Sequence, residues 1–493
     1  MAAAGFQPAS GTEIGTPGGT RDCRGPRFGE FFDTVGTRLD DPVCGAADCR
    51  TGIRGKNRVR EQRQHGSVRG CRVTGISTAT RFAAQGDAYL PGRTARLNQS
   101  PTRAMLSSEA MPHRHPVRVR RVDECATLDE IFRNCLPAFG GAYLRRIYTI
   151  LDRAIGEGCP LTLSISGPVT VSGQHLAWLI PLLETGCVAY ISTTDAVCYH
   201  DGHRSLDAHK DDPIHEVPIH SDDAALREQG TIRVTDMAFD EAVLLDQDRF
   251  LSACLARPEF QTKMTGTELR YRLGAYYAAQ ERRNGAPAGL LATCHRLAIP
   301  VLVGAPADGS VFLNSMKLWA MRNAGILPEY AFDLDLHAEV FEACAYHRWG
   351  LFESPARALA TLILGGGVPK NYNLQPEPAL GQVLGLPNVR GYQFDVQIVT
   401  APVTDGSLSS CPPAEAVTWG KVDKNTYLQT TESMQADYSM VMPFLVKALL
   451  DNRAKQAGYR LYEHRDTLCG RLREDVRANR DWLLRSVDYP LAR

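Results

Sequence analysis

Hydrophobic residues along this chain fall into short unbroken runs separated by amphipathic stretches, starting near Arg120 and continuing to the C-terminus. LTLSI (Leu161 to Ile165) reads as a buried strand and CVAYIST, starting at Cys187, as the next. Between them, Ser172 to Thr185 puts Leu176, Leu179, Ile180 and Leu183 on one helical face, which completes a βαβ unit. IPVLVG (Ile299 to Gly304), ATLILGGG (Ala360 to Gly367) and FDVQIVT (Phe394 to Thr400) repeat the pattern of an apolar strand entering a turn of small or polar residues. Strands alternating with helices in this way predict an α/β fold, doubly wound about a mostly parallel sheet, whose ligand sites lie at the carboxyl ends of the strands.

Residues 1–104 do not share the pattern. They are rich in Gly, Arg, Thr and Pro, include RGKNRVREQRQ, and show no apolar periodicity, so burial cannot offset the entropy lost on ordering them. They read as a disordered extension, or as translated upstream sequence ahead of a start at Met105 or Met111, which leaves residues 105–493 as one folded domain. The arginines are not interleaved with aromatics and accompany no nucleic-acid fold signature, so no nucleic-acid partner is expected. The stretch from Ala208 to Asp223 reads as a loop or insertion, and His209, His215 and His220 are too irregularly spaced to suggest a metal site.

Composition narrows the classes further. With 493 residues, 44% hydrophobic, and 55 basic against 55 acidic side chains, nothing in the charge calls for a polyanion or an anionic membrane. The 14 cysteines are scattered without CxxC pairs, which suits reduced thiols in a cytoplasmic protein with neither disulfides nor metal. The longest apolar stretch, Leu176 to Ile191, is broken by Pro181, Glu184 and Gly186, short of the ~18 residues that span a bilayer. The opening MAAAGFQPASGTEIG lacks the basic and apolar regions of a secretion signal.

Four turns hold candidate chemistry. SISGPVTVSG (Ser164 to Gly173) joins a strand to a helix with small residues, as a phosphate-binding turn would, although any βα turn tolerates them. PADGS (Pro306 to Ser310) offers Asp308 to a ribose diol, or is a plain Asp-Gly turn. GGGVPK (Gly365 to Lys370) would let backbone approach a ligand closely, or forms a tight turn with helix packing. TDGSLSSCPPAEAVTWGK (Thr404 to Lys421) is the most distinctive. A lysine beside Trp419 in a partly apolar pocket loses charge by desolvation and gains the neutral amine that forms imines, while Trp419 faces a cationic chain and Glu415 anchors an ammonium group. Spacing alone is better served by a surface lysine after a helix that carries a packed tryptophan.

These segments, in this order, resemble the deoxyhypusine synthase family from about Phe139 to the C-terminal region. The match is closest in GGGVPK, AEAVTWGK and QADYSMVMPFLV (Gln435 to Val446), and STTDAVCYHDGH (Ser192 to His203) resembles a variant found in bacterial deoxyhypusine synthase-like proteins. The resemblance implies a Rossmann-like NAD-binding topology, a homotetramer with active sites at subunit interfaces, and transfer of an aminobutyl group from spermidine through an imine on Lys421. In the parent family the acceptor is a lysine of the hypusine-containing translation factor. By position, Thr194, Asp308, Thr400, Ala401, Asp405 and Asp437 are implied NAD contacts, and Glu415 and Trp419 polyamine contacts.

The departures are informative. Asn371 and Tyr372 stand where the family commonly has a histidine pair, and Leu313 and Leu408 where it has acidic polyamine contacts. His200 replaces an acidic residue near the nicotinamide region and is a candidate proton relay, or a structural histidine. The expected function is therefore aminobutyl transfer to a protein lysine. One alternative is homospermidine-type transfer to a free diamine; another, of a different class, is a silent NAD-binding regulator.

Overall fold

The computed structural model describes residues 117–206 and 213–491. The expectation for residues 1–104 lies outside them, as does His209. Six strands form the central sheet: β1 (Leu161–Ile165), β2 (Val188–Thr193), β3 (Val301–Val303), β4 (Ala360–Leu364), β5 (Phe394–Val399) and β6 (Thr431–Gln435). Every neighbouring pair is parallel, and the spatial order is β3-β2-β1-β4-β5-β6. That is the 3-2-1-4-5-6 order of a Rossmann-like doubly wound sheet, whose topological switch point, the usual place for a ligand, falls between β1 and β4.

The alternation of residues along the strands gives the sheet two unlike faces. Leu161, Leu163, Ile165, Leu362, Leu364, Phe394, Val396 and Ile398 belong to the main apolar core, against which helix Phe139–Gly156 packs Ile147, Leu151 and Ala154. The alternate positions include Thr162, Ser164, Tyr190, Ser192, Thr361, Asp395 and Gln397, all buried and polar. The registers Thr162↔Tyr190, Thr162↔Thr361 and Asp395↔Thr361 set the first row of them side by side. Helix Gly367–Leu374 covers this polar face and partners it. Asn373 Nδ2 donates to Thr361 Oγ1 at 2.9 Å, Lys370 Nζ to Gln397 Oε1 at 2.8 Å, and Ser192 Oγ to the Pro369 carbonyl at 2.9 Å.

Three details differ from the sequence reading. The helical segment before β2 is a π-turn, His175–Leu179, running into an α-turn, Ile180–Leu183. It buries Trp178, Leu179, Leu182 and Leu183, while Leu176 and Ile180 are half-buried, because i→i+5 bonding widens the turn and moves the apolar stripe off the 3.6-residue period. In the histidine-bearing stretch, His215–Glu216 pairs antiparallel with Met237–Asp240, which in turn pairs with Thr231–Val234 in a small sheet. The sixth strand, TESMQ, is polar and half-buried, and forms an edge with no apolar run to announce it.

Candidate active site

At the switch point the turns after β1 and β4 meet closely. A Cβ on Gly366 would lie 2.2 Å from Ser166 Oγ, so glycine is needed there for contact between two turns of the chain itself. Tyr438 reaches in from beyond β6 and donates its hydroxyl to the Ser166 carbonyl at 2.8 Å. Helix Gly367–Leu374 starts at this junction with no side chain capping it, so its free N–H groups face the carboxyl edge.

The segment that follows β5 folds over that edge. Helix Pro413–Ala416 and the short turn Val417–Trp419 end at Gly420, whose φ of +72° reverses the chain and turns Lys421 inward while Trp419 stays 60% exposed. Lys421 is held from both sides of its backbone: its N–H donates to the Ala416 carbonyl at 3.0 Å, and its carbonyl accepts from Tyr392 N–H at 2.9 Å. Its side chain is 9% exposed, with Nζ donating to Asn371 Oδ1 at 3.1 Å and lying 5.9 Å from the centre of the Trp419 ring. Burial pushes its ammonium below the ordinary lysine range, the direction that favours the nucleophilic amine.

A cavity of about 450 Å³ opens onto this amine. Glu415, Trp419 and Lys421 line it together, with Asn371, Leu408 and Lys370. Lys370 is the residue the sequence reading passed over, although it closes the GGGVPK motif. It is 2% exposed, donates to Gln397 Oε1 and the Cys411 carbonyl, and is pushed down by burial while Asp395 holds it up. Asp395 is the second residue of β5, its acid pushed up to about 7 by burial and eased by Lys370. A charged residue inside an otherwise apolar strand was a signal available in the sequence.

The other expected residues lie outside this cavity, at the carboxyl ends of other strands. Thr194 follows β2 and precedes helix Asp195–His200. Asp308 is exposed in the turn Pro306–Asp308 after β3. Thr400 and Ala401 follow β5, with Asp405 in the turn Val403–Asp405, where its carboxylate accepts from Ser407 N–H at 2.7 Å. Asp437, beyond β6, accepts from Ser439 N–H at 2.9 Å. Asp308, Asp437 and the uncapped helix start at Gly367 all follow carboxyl ends of strands, the side of the sheet on which doubly wound folds bind ligands. Leu313 lies apart, 51% exposed on helix Ser310–Asn323. His200 sits at the end of helix Asp195–His200, with Nδ1 3.3 Å from His203 Nε2, and burial lowers its pKa. That placement ties it to a histidine pair and not to the Lys421 cavity. Reasoning from sequence also missed Asp195, a buried acid pushed up to about 6, whose Oδ2 accepts from Val311 N–H at 2.8 Å and so fastens the end of β2 to helix Ser310–Asn323.

Fold and cavity together define a doubly wound α/β protein with a buried lysine at a cavity on the carboxyl side of its sheet. A family model for deoxyhypusine synthase matches residues 128–449. The chain is 32% identical over 358 residues to a deoxyhypusine synthase-like protein of Cyanothece sp., covering 72% of this chain and 86% of the relative. It is 34% identical over 357 residues to a protein of the same description from Nostoc sp., covering 71% and 88%. A probable deoxyhypusine synthase of Methanosarcina thermophila is 25% identical over 346 residues, covering 69% and 96%. This chain belongs to the deoxyhypusine synthase family, a family of transferases.

Proposed function

We propose that residues 105–493 form an NAD-dependent catalytic domain that moves an aminobutyl group from a polyamine such as spermidine, through an imine on Lys421, to an acceptor amine. The observation that carries this reading is a buried lysine amine, depressed by desolvation, at the mouth of a cavity shared with Glu415 and Trp419. Lys421 attacks the imine carbon of the oxidised donor and releases the remainder of the donor as a free amine. Asn371 Oδ1 orients the attacking nitrogen. Trp419 covers the aminobutyl chain, and Glu415 pairs with its terminal ammonium. The bound dinucleotide would supply the two-electron oxidation of the donor and the matching reduction of the product, held by Thr194, Asp308, Thr400, Ala401, Asp405 and Asp437.

The acceptor is a lysine of a protein partner. A free diamine is the second reading, favoured by Leu408 in the cavity wall where a carboxylate would hold a longer polycation. An exposed apolar stripe on helix Ser310–Asn323, Leu313, Met316 and Trp319, supports a homotetramer that buries this face. The scattered thiols support a cytoplasmic setting, and among the described residues no helix is long and apolar enough to cross a membrane.

Adding spermidine to the protein with NAD tests the reading through the absorbance of NADH. The expected result is NADH formation in the native protein that Glu415→Gln weakens at least tenfold. Binding of NAD without any reduction by spermidine or other common polyamines would identify a silent NAD-binding regulator instead.

A further inference from the structure

Under the Lys421 cavity, on the polar face of the sheet, runs a chain of buried hydrogen bonds that the reaction does not use. Glu377 Oε1 lies 2.6 Å from His347 Nε2, His347 Nδ1 lies 3.2 Å from the Tyr190 hydroxyl, and that hydroxyl lies 3.1 Å from the hydroxyl of Tyr392. Thr162 Oγ1 donates to Tyr392 at 3.1 Å, and Tyr392 donates to the Asn373 carbonyl at 3.2 Å. None of these side chains is more than 2% exposed. With Glu377 accepting from Nε2–H, Nδ1 is left as the acceptor for the Tyr190 proton. Tyr190 then donates to His347 and accepts from Tyr392, so the single Tyr392 proton is divided between Tyr190 and the Asn373 carbonyl.

Burying so many polar groups is unfavourable unless each is partnered, and an apolar filling would hold the sheet and helix together as well. What the chain adds is direction, and it ends on Tyr392. Through its hydroxyl, Tyr392 grips the carbonyl of Asn373, on the helix that carries Asn371. Through its backbone it pairs with the strand-like segment at Lys421: Tyr392 N–H donates to the Lys421 carbonyl and the Tyr392 carbonyl accepts from Asp423 N–H, each at 2.9 Å. Lys421 and Asn371, 50 residues apart, are the two partners of the hydrogen bond that aims the amine. Tyr392 itself does not line the cavity.

We infer that Tyr392 is a positioning residue for the Lys421 amine, fixing both partners of the Lys421–Asn371 hydrogen bond at once, with Tyr190, His347 and Glu377 setting how much of its hydroxyl proton the Asn373 carbonyl receives. The inference rests on the reading of Lys421 as the imine-forming group. Tyr392→Phe removes one oxygen and leaves the backbone pairing in place, and Tyr190→Phe keeps that oxygen but removes the competing acceptor of its proton.

The test is trace labelling of Lys421 by acetic anhydride across a pH series, read by peptide mass spectrometry on the full chain, beside thermal melts. The native protein is expected to label with a midpoint below that of an ordinary lysine. In Tyr392→Phe the loosened, better hydrated amine titrates about half a pH unit higher, which is roughly threefold less reactive amine at any fixed pH below the midpoint. Tyr190→Phe leaves the Tyr392 proton wholly to the Asn373 carbonyl and is expected to move the midpoint the other way, below the native one, and it stands in if Tyr392→Phe fails to fold. A folded variant of either kind that melts lower but labels Lys421 with the native midpoint and rate overturns the inference and leaves the chain a structural element. If native Lys421 shows the depressed midpoint but no polyamine adduct forms, the transferase reading fails while the positioning role stands.

Discussion

Lys421 sits where a lysine has difficulty keeping its charge: the residue is 9% exposed and its ammonium donates to a neutral amide oxygen. Because the neutral amine is the reactive form, adduct formation should rise with pH and level off at the folded pKa, below the ordinary lysine value of 10.5. Asn371→Asp places a carboxylate on that nitrogen, which raises the pKa by about 1–3 units and should cut adduct formation at pH 8 at least tenfold, measured by borohydride trapping. Asp395 makes the opposite kind of prediction. Its folded pKa of about 7 stands above the ordinary aspartate value of 3.8, so its contribution to stability is fully present at pH below 3.8 and is lost as pH rises through 7. Asp395→Asn removes that dependence, and thermal melts should show its deficit relative to the native protein shrinking between pH 5 and pH 8.

At the scale of elements, five of the six central strands were legible because burial on both faces writes them as apolar runs, and β6 was hidden because an edge strand needs no such run. The polar row Thr162, Thr361 and Asp395 was less visible, since the groups that meet it come from other elements: Tyr392 for Thr162, and helix Gly367–Leu374 for Thr361 and Asp395, through Asn373 and the charge of Lys370. The same locality hid the π-turn: nothing in HLAWL distinguishes an i→i+5 bond from i→i+4. The GGG turn shows how two elements depend on one another. Gly366→Ala drives a methyl group into Ser166, 2.2 Å from its Oγ and 2.8 Å from its Cβ, and should destabilise the protein by about 1–3 kcal/mol in denaturant unfolding.

At the scale of the whole molecule, the carboxyl edge gathers residues that are scattered over more than 240 positions between Thr194 and Asp437. Glu415, Trp419 and Lys421 were legible as a group because they are neighbours in sequence. Lys370 and Asp395 were not, because only the parallel register and the covering helix bring them beneath that group. The exposed stripe Leu313, Met316 and Trp319 belongs to this scale too. Trp319→Lys should shift the protein to a smaller species in sedimentation velocity, with loss of activity, if copies of the chain cover that face. The central claim is tested most directly by incubating the native protein with NAD and spermidine, trapping with borohydride, and locating the adduct by peptide mass spectrometry. The account predicts an aminobutyl mass on Lys421 that disappears in Lys421→Arg, and the absence of any adduct while NAD still binds would contradict it.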